Sequence, residues 1–429
     1  MLELLAPEHR VTLLTPAPRA GQPPPAPPLA ALAPSIAVVT YLAGASGRDG
    51  EPSSAASGPS GAAAGVVGAA AGVGRAAVRG LPLQSGLFYS ADLRRQLRLL
   101  APRADLAVLQ LVRLAAHRAD LGATPVLVDL IDDLALNFSR RAAMDRWWLR
   151  PALALEARLL ARAQRRLARS AAGVLVVCER DRREVTARLP AALAGRVRIA
   201  GLAVEPGGGA LAVEPSGGAP QPAAGGSAFA GLPERPAWDT AYAGPPRLVF
   251  TGNLGYFVNA DAISWWLREV WPALASRRPD LQLVVAGDRP RPGLRRTLAA
   301  AADAGVAGAV TVVESPPDLP QLLAGAAAAL APMRCGSGVP VKILEAWSRG
   351  VPVVASPWAA GGTSGVPGED LLVASSPRQW VAAVERLLDD PAEWRRLAAN
   401  GRRRLQADYS RRQVKLQLLA AVAAAGPGD

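Results

Sequence analysis

Lysine is nearly missing from this chain. Of 48 basic residues only Lys342 and Lys415 are lysines; the other 46 are arginines. Cysteine is equally scarce. Cys178 and Cys335 lie far apart and form no C-x-x-C, which excludes a disulfide framework and a dithiol redox motif. The two histidines, His9 and His117, do not combine with them into a metal-ligand cluster. Long apolar runs are missing too. GAAAGVVGAAAGVG (Gly61–Gly74) is too short and too glycine-rich to span a bilayer core of ~30 Å and reads as a flexible loop. The opening stretch, MLELLAPEHRVTLLTPAP, has no basic segment leading into an apolar run, so no secretory signal is expected. A reducing, cytoplasmic setting is the simplest expectation.

Alanine, glycine, proline and arginine are abundant instead, the mark of a GC-rich coding bias. That bias inflates the formal charge of +13, yet so basic a surface still favours anionic partners: phosphorylated ligands, membrane headgroups or nucleic acid. At 429 residues the chain fits two domains.

The first half alternates short apolar runs with helical spacing. VTLLTP (Val11–Pro16), SIAVVTY (Ser35–Tyr41), DLAVLQLV (Asp105–Val112), PVLVDLID (Pro125–Asp132) and GVLVVCE (Gly173–Glu179) read as strands. Helices are expected over Ala91–Ala101 and, long and basic, over Arg146–Ala168. This rhythm predicts a parallel sheet covered by helices. The chain opens on what reads as the tail of a helix, so this domain is expected to lack its first strand and first ligand loop.

From Gly201 to Pro246 the pattern dissolves. LAVEPGGGA is followed at once by LAVEPSGGA, a near-duplication expected in a tolerant linker. Order returns at RLVFT (Arg247–Thr251), a glycine turn, and a helix from about Asn259 that buries Ile263, Trp266, Leu267 and Val270. Further strands are expected at Leu281–Gly287, Val310–Ser315, Ala328–Met333, Val351–Ser356 and Leu371–Ser375, with basic helices to the end. The expected division is 1–200, with a flexible insertion at about 44–80; a linker, 201–246; a second α/β domain, 247–400; and a C-terminal helix, 401–429, packing back on the first.

Ligands of open α/β sheets bind beyond the carboxyl ends of the strands. There stand TGNLG (Thr251–Gly255), AGDRPRP (Ala286–Pro292), Glu314, and MRCGSGVPVKILE (Met333–Glu345). The last combines a glycine turn, Pro340 at a helix start and Gly350 as its stop. Such a helix start suits a diphosphate. Lys342 and Glu345, three apart, share one side: a cation for phosphates and a carboxylate for sugar hydroxyls. The plainer reading is a surface Lys–Glu pair.

TGNLGYFVNADAISWW, AGDRP and LAPMRCGSGVPVKILEAWSRGVPVVAS together closely resemble the donor domain of family-4 glycosyltransferases, with likeness to bacterial exopolysaccharide sugar transferases. LPLQSGLFYSADL, QLVRLAAH and VDLIDDLALNFSRRA resemble the acceptor-side domain. The resemblance implies an α/β protein of GT-B type: two Rossmann-like, doubly wound domains facing a cleft. It implies a retaining, metal-independent glycosyltransferase, hexosyltransferase-like, acting in polysaccharide biosynthesis. Carried over by position, Glu345 grips the donor ribose, and Gly336, Ser337 and Gly338 approach the donor sugar and diphosphate. Gly252, Asn253 and Gly255, with Gly287 and Asp288, form turns facing the donor, and Glu314 lies where the base is held. Two departures stand out. Ser337 occupies the place of a second glutamate, and the Arg and Lys that clamp the diphosphate in many members are absent from GNLGYFVNAD. Lys342 and Arg334 are the nearest replacement cations.

The implied partners are a nucleotide-sugar donor and a glycan or lipid-linked acceptor, with peripheral contact at the inner face of the membrane, no nucleic acid, and neither metal nor other cofactor. The arginines of 140–169 and 395–412 read as solvated helix faces or as membrane-facing ones. DLIDD (Asp129–Asp133) has the wrong spacing for a metal site, and His117 is a minor candidate for acceptor contact. The alternatives are a catalytically impaired relic or nucleotide-sugar-binding protein of the same fold, and a sugar-nucleotide epimerase.

Overall fold

A computed structural model describes residues 1–5, 7–16, 36–41, 73–74, 76, 78–204, 245–303, 310–315, 319–324 and 326–426. Most of the expected insertion at 44–80 and of the near-duplicated linker at 201–246 lies outside these residues. The chain forms two compact units. The first comprises 1–177, 181–200 and 415–429, and the second 178–180 and 201–414.

In the first unit, β1 (Val11–Pro16) and β2 (Ile36–Tyr41) form a parallel pair of their own. A separate four-stranded sheet runs β3 (Ala107–Gln110), β4 (Val126–Asp129), β5 (Gly173–Val176), β6 (Val197–Ile199), all parallel and in chain order. Its central strands β4 and β5 are buried on both faces, which is why they read as unbroken apolar runs. Helix α1 (Ala91–Leu100) precedes β3, and α2 (Leu134–Met144) and α3 (Arg150–Ser170) together connect β4 to β5. Helix α3 starts four residues later than expected because Arg146–Leu149 form a turn; Pro151 then occupies its first turn. Its inner face carries Ala157, Leu160, Ala163, Leu167 and Ala168.

The second unit is one six-stranded parallel sheet. Its strands are β7 (Arg247–Thr251), β8 (Gln282–Ala286), β9 (Val310–Val313), β10 (Ala328–Ala331), β11 (Val353–Ala355) and β12 (Leu372–Val373), in the order β12-β11-β10-β7-β8-β9. The chain winds outward from β7 through β8 to β9, returns to β7's other side at β10, and winds outward again. This is the doubly wound order 3-2-1-4-5-6. Helix α4 (Phe257–Glu269) follows β7 and begins two residues before the expected Asn259, after extended Tyr256. Ile263, Trp266 and Leu267 on it, and Val270 at its C-cap, are buried as their spacing predicts.

Helix α5 (Val341–Ser348) follows β10, with Pro340 at its N-cap position and Gly350 (φ 67°) stopping it. Trp347 of α5 is fully buried and packs on Gly401 of α6 (Pro391–Tyr409). The last helix, α7 (Arg411–Ala425), belongs to the first unit from Lys415 onward, where Lys415 Nζ meets Glu8 Oε1 at 2.7 Å.

A Cβ on Gly401 would stand 2.3 Å from Trp347 Cδ1. Alanine is the better helix former by ~1 kcal/mol, yet this overlap cannot be relieved without moving the indole that seats α5. Gly401→Ala is therefore expected to lower stability by about 1–3 kcal/mol in urea unfolding; a stabilised variant would contradict the packing described.

Candidate functional site

The sheet reverses its winding between β7 and β10, and the turns leaving their carboxyl ends flank the crevice where such sheets bind ligands. The turn after β7 abuts the turn after β8. Gly252 (φ 145°) and Gly287 (φ 154°) approach so closely that a Cβ on Gly287 would lie 1.7 Å from Gly252 O. Leu254 N and Gly255 N both donate to Asp288 O, at 2.8 and 3.2 Å, and Gly255 N also donates to Asn253 Oδ1 at 2.9 Å.

Lys342 reaches into this corner from the first turn of α5. Its Nζ lies 3.7 Å from the centroid of the Phe250 ring and donates to Asn259 Oδ1 at 2.9 Å. Asn259 Nδ2 in turn donates to Asn253 O at 3.0 Å. A Cβ on Gly252 would come within 2.8 Å of Asn259 Nδ2 and 3.2 Å of Lys342 Nζ, so the missing side chain makes room for both. Only 9% exposed as a residue, Lys342 is not half of a surface pair. Burial pushes its pKa from the ordinary 10.5 down to about 7, with Glu345 opposing the shift. Burial also raises the pKa of Glu345, against the charge of Lys342 and a hydrogen bond from Thr251. An ammonium carries three donors. Among the described residues its one hydrogen bond goes to Asn259, so the other donors suit an anion arriving over the glycine turn.

The Gly336–Gly338 turn precedes the same helix, with Gly336 at φ 119° and Gly338 at φ 71°. A Cβ on Gly336 would touch Val258 Cγ1 at 3.3 Å. Arg180 holds this turn: its Nη2 donates to Gly338 O at 2.8 Å, its Nη1 to Trp358 O at 2.7 Å, and its guanidinium lies 4.4 Å from the centroid of the Trp358 ring. Ser337 sits between the two glycines.

The structure thus groups Gly252, Asn253, Gly255, Gly287, Asp288, Lys342 and Glu345, with Gly336, Ser337 and Gly338 at the start of the same helix. Two proposed site residues turn to partners of their own. Arg334 forms a two-point ion pair with Asp261, at 2.6 and 3.0 Å. Glu314, exposed, is gripped by Arg295 at 2.5 and 3.0 Å. Phe250, Asn259 and Arg180 are additions that sequence reading did not single out, and Thr251, placed in the TGNLG turn, gains a hydrogen bond to Glu345. The one available signal was an amide side chain in the first turn of the helix behind a glycine turn.

In the first unit, Asp133 caps α2 through Leu136 N at 3.1 Å and receives Arg188 Nη1 at 2.7 Å. His117 is 1% exposed, stacks on Tyr89 at 5.1 Å, and meets Asp120 at 3.2 Å through Nδ1; burial lowers its pKa. Both belong to the internal architecture of that unit.

The glycine turns and the buried Lys342 thus stand together at the switch point of a doubly wound sheet, where open α/β sheets bind ligands. Residues 245–390 match the family model described as "Glycosyl transferases group 1", a match that lies within the second unit. A Klebsiella pneumoniae relative, described as an uncharacterized 44.6 kDa protein in the cps region, is 26% identical over 170 residues. That match spans 39% of this chain and 44% of the relative. Anabaena HepE, solved with UDP and glucose, matches with a TM-score of 0.62 at 12% identity, over 98% of this chain and 94% of its own. Thermosynechococcus elongatus sucrose-phosphate synthase matches at 0.55 and 18%, over 78% and 79%. These structures share the fold: parallel α/β units of the GT-B glycosyltransferase type.

The unfolded chain keeps the Lys342 proton up to about 10.5, whereas the folded protein releases it at about 7. Stability should therefore rise with pH between those values, because there the unfolded state binds more protons. Glu345, raised, acts in the opposite sense at lower pH. Lys342→Met should abolish the rise, read as the urea midpoint at the two ends of that window. An unchanged rise in the variant would mean that Lys342 does not carry it.

Proposed function

We propose that this protein transfers a sugar from a nucleotide-sugar donor to a cell-surface glycan or lipid-linked acceptor, with retention of configuration and without a metal. The observation that carries this reading is the Lys342 ammonium beneath the Gly252 turn, inside the segment that matches the glycosyltransferase family. Departure of a nucleoside diphosphate concentrates negative charge on the phosphate oxygens. A preorganised cation in a dry site stabilises that charge far more than one in water. The start of α5 adds the positive end of a helix dipole. Since its pKa lies near 7, Lys342 takes up a proton as the diphosphate arrives and then holds it. Glu345 accepts donor hydroxyls, and Gly252, Gly336 and Gly338 let phosphate oxygens approach the backbone.

Two buried free cysteines and a nucleotide-sugar donor fit a cytoplasmic protein working at the inner face of the membrane. A second reading, nucleotide-sugar binding without transfer, is favoured by the commitment of Arg334 to Asp261, which leaves Lys342 without a second cation from that turn.

Titration calorimetry of UDP, GDP and ADP tests the donor site. The wild type should bind at least one of them. Lys342→Ala should weaken that binding roughly 10- to 100-fold, the loss of one charge-assisted hydrogen bond. No binding by the wild type overturns the donor site, and equal binding by both removes Lys342 from it. Transfer should also persist in EDTA; its loss, restored by a divalent ion, would overturn the metal-independent reading.

A further inference from the structure

The first unit presents a surface that bears on the membrane placement proposed above, though not on the Lys342 site. Just before α3, Trp147 and Trp148 stand side by side, 75% and 52% exposed, in a T-shaped pair 5.9 Å apart. Arg146 lies 5.1 Å from the centroid of the Trp148 ring. Leu149 next to them is exposed, and so is Leu155, one turn into the helix, at 50%. Soluble proteins seldom leave two adjacent tryptophans in water unless something covers them.

From Leu155 the exposed face continues as arginine. Arg158, Arg162, Arg165, Arg166 and Arg169 are all exposed. At 100° per residue they fall with Leu155 inside an arc of roughly 100°, one stripe along a helix about 30 Å long. None of these five has an ion-pair partner among the described residues. The one carboxylate of α3, Glu156, is on the opposite side, buried and accepting from Leu83 N at 2.7 Å and Gln84 Nε2 at 3.1 Å. The stripe is therefore cationic along its length, and the exposed tryptophans stand just before the helix that carries it.

We propose that this face, Trp147–Leu149 together with Leu155 and the arginine stripe of α3, docks on an anionic lipid bilayer. Tryptophan favours the headgroup boundary, where its ring is buried and its N–H stays hydrated. The arginines lie on lipid phosphates, and their long stems cover apolar surface while the guanidinium stays at the headgroups. No helix among the described residues is long and apolar enough to cross a membrane, so the contact is a lateral one. Nucleic acid would match the charge, but it leaves Leu149 and Leu155 without an apolar partner. The docking is independent of whether Lys342 binds a nucleotide, and its test needs no turnover.

Co-sedimentation of the full chain with phosphatidylcholine vesicles, with and without phosphatidylglycerol, provides the test. Binding is expected only where the anionic lipid is present, and it should weaken with added salt. Replacing Arg158, Arg162 and Arg165 together by glutamine should weaken it roughly 100-fold. Trp147→Ser with Trp148→Ser should remove tryptophan quenching by brominated lipid while leaving the circular dichroism unchanged. Equal binding to both vesicles, no binding to either, or wild-type binding by the arginine variant overturns the proposal. So does a dimer in solution that the tryptophan variant dissociates, or an oligonucleotide that displaces the vesicles.

Discussion

Burying an ammonium ion is costly unless the protein supplies what water supplied, and the second unit is arranged around that requirement at Lys342. The ring of Phe250 offers its negative face, Asn259 one carbonyl oxygen, and Glu345 a nearby charge. These replace hydration only in part. The result is an amine whose pKa sits near neutrality, beneath a turn from which side-chain bulk has been removed. That is a poor arrangement for stability and a good one for receiving an anion, and perturbed groups of this kind gather where chemistry is done.

Other features follow from holding that amine in place. Gly252 carries no side chain because Asn259 and Lys342 occupy the space, and Gly287 none because the Gly252 carbonyl does. Helix α5 is fixed from behind by Trp347 against Gly401, and the turn in front of it by Arg180 on Gly338 and Trp358. The doubly wound sheet places the β7 and β10 ends side by side, so residues 83 positions apart share one hydrogen bond. In the first unit a different economy applies. Buried polar groups such as Asp133, Glu156 and His117 are engaged in caps and internal bonds, while the arginines of α3 face outward.

Much of this was legible in the sequence, for local reasons. Strands buried on both faces announce themselves as β-branched runs, and β7 matches its expected bounds because Pro246 and Gly252 punctuate it. The α5 motif was readable because proline, glycine and a three-residue spacing are all local signals. Asn259 was not, since an amide in the first turn of a helix does not by itself reveal that it will meet a lysine from another helix. The same limit applies to Arg334 and Glu314. Each looks available in the sequence, and each is taken by a partner, Asp261 or Arg295, that only the fold brings near.

The central claim is that Lys342 is the anion-binding charge of the site, and proton linkage tests it most directly. Calorimetry of binding of whichever of UDP, GDP and ADP the wild type takes, near neutral pH and in buffers of different ionisation enthalpy, counts the protons taken up. If a half-protonated lysine becomes fully charged against the diphosphate, the wild type takes up a fraction of a proton that Lys342→Met does not. An identical proton count in the two proteins would contradict the account.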